Sequence, residues 1–273
     1  MAGGGSSSIP KEGISIAGIL EFVARNGGRE AFAGLTTKEV NDTVVLPATE
    51  AGACSYTQLL LASDPDTAHV APASAFVSHA WSYAFLDLVD ALEEASSSSS
   101  SDVFLWVDVF VNNQHQAQNR DFDWWSTAFK ANIQEIGFTM MVLSPWNDPV
   151  PMKRSWCLWE LYSTVQVGAA FEVLLPRAQQ ESFADVLTSD FDTISLALSK
   201  IDVEHAEAWK AEDRDAILSS VRVSPGGATE LNATVLGLLR EWLARSGRQA
   251  LDAVPSEERA TSGLAISLAS LLK

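Results

Sequence analysis

The order of apolar segments predicts an α/β domain built on a parallel sheet. Two observations carry that prediction. Four strand-length, mainly apolar runs, at 75–78, 103–108, 138–143 and 171–176, end in or are followed directly by polar or proline residues. Stretches with helical spacing separate them, at 85–92, at 125–136 and after Pro151. The run at 103–108, apolar until its final acid, suits a strand covered on both faces, and strand–helix alternation suits right-handed crossovers between parallel neighbours.

Residues 1–12 are rich in Gly and Ser and read as a flexible tail, without the apolar run of a secretory signal. Ile16, Ile19, Leu20 and Val23 recur at amphipathic spacing, which predicts a helix from Gly13 to about Asn26, ended by Gly27-Gly28. Thr36-Thr37-Lys38-Glu39-Val40 suggests a helix start with a threonine as cap and Glu39 in the first turn, and 55–62 predicts another short helix. Segment 13–72 is too small to stand alone and reads as a helical N-terminal extension packed on the α/β domain.

The sheet then opens with Ala75-Phe76-Val77-Ser78. The serine run at 96–101 reads as a surface loop. Run 103–108 stays apolar until Asp108, as a central strand would, and Asn112-Asn113-Gln114-His115 begins a polar loop reaching Asp123. Run 138–143 is a third strand stopped by Ser144-Pro145. The helix after Pro151 carries Glu160 about a turn in, and Pro176 ends the fourth strand. The α/β domain thus spans 73–176. In 177–273 strand signals weaken, with one remaining at 191–203. Helices are expected at 211–221, 230–244 and 264–272, making this region mainly helical.

Composition narrows the function. With 18 Lys and Arg against 35 Asp and Glu, the net charge of -17 repels phosphate backbones and anionic membranes, so neither nucleic acid nor membrane is an expected partner. No run approaches the ~18 to 20 apolar residues of a membrane span. The two cysteines, Cys54 and Cys157, form no disulfide or zinc pattern, which fits a reducing compartment such as the cytoplasm. His79, His115, Asp108 and Cys157 lack metal-ligand spacing, so no metal is expected. Neither a G-x-x-x-x-G-K loop nor a strand-linked G-x-G-x-x-G is present.

One block is more specific: Arg154-Ser155-Trp156-Cys157-Leu158-Trp159-Glu160-Leu161-Tyr162. Its Trp156-Cys157-Leu158-Trp159-Glu160-Leu161 is similar to the Trp-Cys-Leu-x-Glu-Leu motif of plant-type TIR (Toll/interleukin-1 receptor) domains. Phe76-Val77-Ser78-His79-Ala80 resembles the opening strand of plant and bacterial members, and Val142-Leu143-Ser144-Pro145 their third strand and its exit. Asp108 stands where such domains often carry an acid after the second strand. The resemblance covers residues 73–176, and the flanks look like those of algal and protist proteins with such domains. It implies a three-layer, flavodoxin-like parallel sheet. It also implies an NAD+ hydrolase with Glu160 as the catalytic residue, NAD+ as substrate and no cofactor required. Expected partners are further copies of the chain or other TIR-like domains. Departures lie at Arg154, where the plant pattern usually has serine, at Trp81-Ser82-Tyr83, and in the loop at 112–116, which lacks the usual glycine. These leave a non-catalytic signalling adaptor as the alternative.

The chemistry suits one carboxylate. Breaking the nicotinamide–ribose bond builds an oxocarbenium-like ribosyl cation, which an ionised carboxylate stabilises. Nicotinamide departs neutral, so no acid need protonate it. The ordinary reading of Glu160 is a solvated acid near a helix N-terminus. Trp81 and Trp146 lie just beyond strand ends, where open α/β sheets bind ligands, and are pocket candidates; Trp106, inside a strand, is a packing residue. Ser78 and His79 close the first strand, either hydrogen bonding ribose or phosphate or simply ending the strand. Asp108 would bind a ribose hydroxyl or satisfy backbone donors. Arg154 would meet a pyrophosphate or a surface acid, and Trp156 completes the substrate-binding set.

Overall fold

The computed structural model describes residues 11–97, 102–117, 119–189, 193–194, 203–208, 210–224 and 226–252, with single positions at 255, 256, 259, 264 and 265. Its first element is a strand that apolar periodicity did not reveal: β1, Glu12–Ser15. It leads directly into α1, Ile16–Arg25, where the Ser15 hydroxyl accepts from the Gly18 N–H at 3.1 Å. Gly27, with φ of 100°, follows α1, a conformation glycine adopts without strain.

Three short helices come next: α2, Gly28–Phe32, α3, Thr37–Val40, and, after a π-helical turn at Asn41–Val45, α4, Leu46–Thr49. The expected threonine cap is Thr36, in a reciprocal capping box with Glu39. Thr36 Oγ1 accepts from the Glu39 N–H (3.2 Å), and Glu39 Oε2 accepts from the Thr36 N–H (2.8 Å). α5, Tyr56–Ser63, starts with the same device between Ser55 and Gln58. A second unforeseen strand follows, β2, Val70–Pro72. The N-terminal segment is therefore not only helical. Both strands are short and neither shows an extended alternation, so only their distant pairing partners define them.

The remaining elements keep the expected alternation. They are β3, Ala75–Ser78, α6, Phe85–Ser97, and β4, Phe104–Trp106. Two short helices, α7, Asp108–Val111, and α8, Gln114–Ala117, occupy what reads in sequence as a strand end and a polar loop. Then come α9, Phe122–Ile136, β5, Phe138–Val142, α10, Ser155–Val167, β6, Ala170–Leu174, and α11, Arg177–Ser189. After a 3-10 turn at Val203–His205 the chain forms α12, Ala211–Val223, and α13, Gly227–Asp252. The expected strand at 191–203 and terminal helix at 264–272 fall largely outside the described residues, as does most of the serine run.

The six strands make a mostly parallel sheet in the order β2-β1-β4-β3-β5-β6. β1 runs antiparallel to both neighbours, with Ile14 opposite Val70 on one side and Leu105 on the other. β3 and β4 are parallel, Phe76 pairing with Trp106. Bonds from Ala170 N–H to Gly137 O (2.9 Å) and from Leu143 N–H to Leu174 O (2.9 Å) show β6 following β5 in the same direction. Taken alone, the parallel strands have the order 2-1-3-4, the flavodoxin-like arrangement, and the order reverses beside β3.

The chain divides into two compact units, Met1–Met140 with Ser163–Ala170, and Met141–Tyr162 with Phe171–Lys273. In the first, Phe22 meets Tyr56 and Phe110 edge-on, with centroids 5.0 and 5.1 Å away. Phe76 stacks on Trp106 at 4.7 Å, and Phe129 packs across Trp106 at 5.7 Å. In the second, Phe183 lies between Trp146 (5.7 Å) and Trp242 (5.0 Å). Such aromatic pairs add about 0.5–1.5 kcal/mol beyond their burial.

Candidate functional site

Two groups of expected site residues arise, one in each unit. The first gathers at the carboxyl ends of β3 and β4. Ser78 ends β3 fully buried, and His79 follows at 6% exposure. The β3–β4 register brings this end level with Val107 and Asp108. Asp108 is the first residue of α7 rather than the last of a strand. Its Oδ1 accepts from the Val109 N–H (2.7 Å) and its Oδ2 from the Trp81 indole N–H (2.7 Å). The Gln114 amide donates to the Asp108 carbonyl at 2.8 Å. Trp81 is thereby tied down by its polar edge, and its own carbonyl accepts from the Lys38 N–H (3.1 Å).

Burial dominates the electrostatics here. It raises the Asp108 carboxyl to about 6, against the lowering effect of the Trp81 and Val109 bonds. Burial also lowers His79 to about 4, so its imidazole is neutral at neutral pH. A half-buried acid and a buried base with displaced ionisation at parallel strand ends form the kind of cluster found at functional sites. The expected polar loop at 112–123 is partly bound to the N-terminal segment. Asn113 donates to the Ala53 carbonyl (2.6 Å), and His115 Nε2 lies 2.9 Å from Thr49 Oγ1.

The second group surrounds the start of α10. Glu160 is 9% exposed, far from the solvated helix acid of the ordinary reading. Trp156 and Glu160 are four residues apart and share one helix face. The Trp156 indole donates to Asp213 Oδ2 at 3.2 Å. Arg154 precedes the helix, its carbonyl accepting from the Leu158 N–H (3.0 Å). It forms a parallel bridge with Glu207, whose N–H donates to the Lys153 carbonyl (2.7 Å) and whose carbonyl accepts from the Ser155 N–H (2.8 Å). The first amide of α10 is therefore engaged and is not open to an anion.

Trp146 is 7% exposed and packs on Phe183, while its indole N–H reaches Ser182 Oγ (3.3 Å) and its backbone N–H the Gln179 side chain (3.2 Å). Its ring serves the core of its own unit in this structure. Asp213 and Glu207 are contact residues that the sequence did not single out, and Gln114 reads there only as part of the polar loop. Asp213 lies 57 positions from Trp156, and no spacing rule links them.

Among the described residues no group of three or more His, Cys, Asp or Glu side chains could hold a metal ion. Nor is any helix among them long and apolar enough to cross a membrane. Compared with known proteins, the chain matches no family model, no curated protein and no solved structure.

Proposed function

We propose that this chain is a TIR-like signalling protein that hydrolyses NAD+, with Glu160 as its catalytic carboxylate. The observation that carries the reading is the position of Glu160, a carboxylate 9% exposed on the same helix face as Trp156, within the Trp-Cys-Leu-Trp-Glu-Leu block. A carboxylate removed from bulk water interacts more strongly with developing positive charge than an exposed one does. In the reaction the bond between the ribose C1′ and the pyridinium nitrogen breaks, and its electron pair leaves with neutral nicotinamide. Glu160 stabilises the ribosyl cation. Water then adds to C1′ and loses a proton to give ADP-ribose, or an adenine nitrogen closes a cyclic product. The flavodoxin-like order of the parallel strands supports the same reading, because such sheets bind ligands at their strand ends. Self-association, or pairing with other TIR-like domains, is part of the proposal.

The test is NAD+ consumption by concentrated purified protein, with products resolved chromatographically and Glu160→Ala and Glu160→Gln run alongside. Nicotinamide release by the wild type, reduced at least about a hundredfold in both variants, is expected. Equal turnover in the variants would end the assignment. An inert wild type at every concentration would favour the non-catalytic adaptor.

A further inference from the structure

We propose that Asp213 is a positioning residue for Glu160, working within a clamp that residues 203–208 and 210–214 place on the first turn of α10. This rests on the reading of Glu160 as the catalytic carboxylate. The clamp has three grips, all within one compact unit. Glu207 threads between Lys153 and Ser155, making backbone bonds of 2.7 and 2.8 Å that occupy an amide otherwise orphaned at the helix start. Asp213 accepts the Trp156 indole N–H at 3.2 Å. Arg214 turns back on the strap itself, donating from Nε to the Ala206 carbonyl (2.9 Å) and from Nη2 to the Glu204 carbonyl (3.1 Å). Ala206, buried, seals the strap against the protein.

The helix transmits this geometry. Backbone pairing at Arg154 sets the height at which α10 begins. The Trp156–Asp213 bond sets its rotation, because an indole held at its polar edge resists turning of the helix about its axis. Glu160, one turn further along the same face, has its carboxylate placed by both. Reaction rates are sensitive to such placement, a shift of about 1 Å costing up to ~100-fold. Two neighbouring residues of α12 thus act on α10 at once, Asp213 directly and Arg214 through the strap.

The experiment uses the full chain with Asp213→Ala, Asp213→Asn and Arg214→Ala, reading amide hydrogen exchange across 153–159 together with the NAD+ turnover parameters. Asp213→Ala is expected to speed exchange in that peptide by about tenfold, the factor for one lost charge-assisted hydrogen bond. It is expected to lower kcat by about tenfold or more while KM changes less than about twofold. Asp213→Asn keeps an acceptor for the indole and is expected to stay within about threefold of the wild type in both readouts. Arg214→Ala should release the strap and speed exchange in the same peptide. Wild-type exchange and kcat in Asp213→Ala would overturn the proposal, as would failure of Asp213→Asn to rescue in a protein with native circular dichroism. If the wild type consumes no NAD+, the reading of Glu160 falls and takes the positioning role of Asp213 with it; exchange then decides the clamp alone.

Discussion

Replacing Asp108 by Asn should stabilise this protein at neutral pH while leaving it unchanged in acid. Burial lifts the Asp108 carboxyl from 3.8 to about 6 in the folded protein. Between those values the folded state holds a proton that the unfolded chain has released, so stability falls as pH rises through this window. At 1.36 kcal/mol per pH unit, the ionised carboxylate costs the fold roughly 3 kcal/mol by about pH 7. Asn removes the charge and keeps an oxygen for the Trp81 indole. Urea unfolding followed by circular dichroism, run on both proteins from about pH 4 to about pH 7, measures the gap. It should open from near zero to roughly 3 kcal/mol in favour of the variant. A gap that does not change with pH would contradict this account of the buried carboxyl. His79 supplies the opposite sign. Burial holds it at about 4 against an ordinary 6.5, so the unfolded chain takes up a proton first as pH falls. Its contribution, also roughly 3 kcal/mol, is full above pH 6.5 and is lost towards pH 4. Between about pH 4 and 6 the two slopes cancel in the wild type, and His79→Gln should expose the Asp108 slope.

Two further predictions concern the fold that carries the strand ends. Trp106→Ala, at a fully buried ring stacked on Phe76, should cost about 3–5 kcal/mol in the same unfolding assay. Gly13→Ala would set a methyl 2.8 Å from the Phe104 carbonyl carbon and 2.9 Å from the Leu105 nitrogen, so β1 must shift away from β4. A loss of roughly 1–3 kcal/mol is expected, with faster amide exchange in both strands; unchanged exchange would show that the close approach is dispensable.

Legibility in the sequence tracks the range of the interactions. Apolar runs mark β3, β4 and β5 within a residue or two, because strands covered on both faces are apolar almost throughout, whereas β6, last in the strand order and mostly part-exposed, carries Glu172 within its run. The Thr36 and Ser55 capping boxes are contacts across three residues and are visible as residue types. The same holds for the shared face of Trp156 and Glu160, which helical geometry guarantees once α10 forms. β1 and β2 give no such signal, since their pairings join distant parts of the chain, as in Ile14 opposite Leu105 and Glu12 opposite Pro72.

Chain order thus dictated the alternation of elements, the residue types at the strand ends and the placement of one carboxylate on an aromatic helix. The environment of those groups was settled by folding alone. It buried Glu160, raised Asp108 and lowered His79, gave the Trp81 indole to Asp108, and brought Glu207 and Asp213 to the start of α10. Local geometry repeats with a period written into the chain, whereas the cost of a charge and the partner of a hydrogen bond depend on every atom folding brings near.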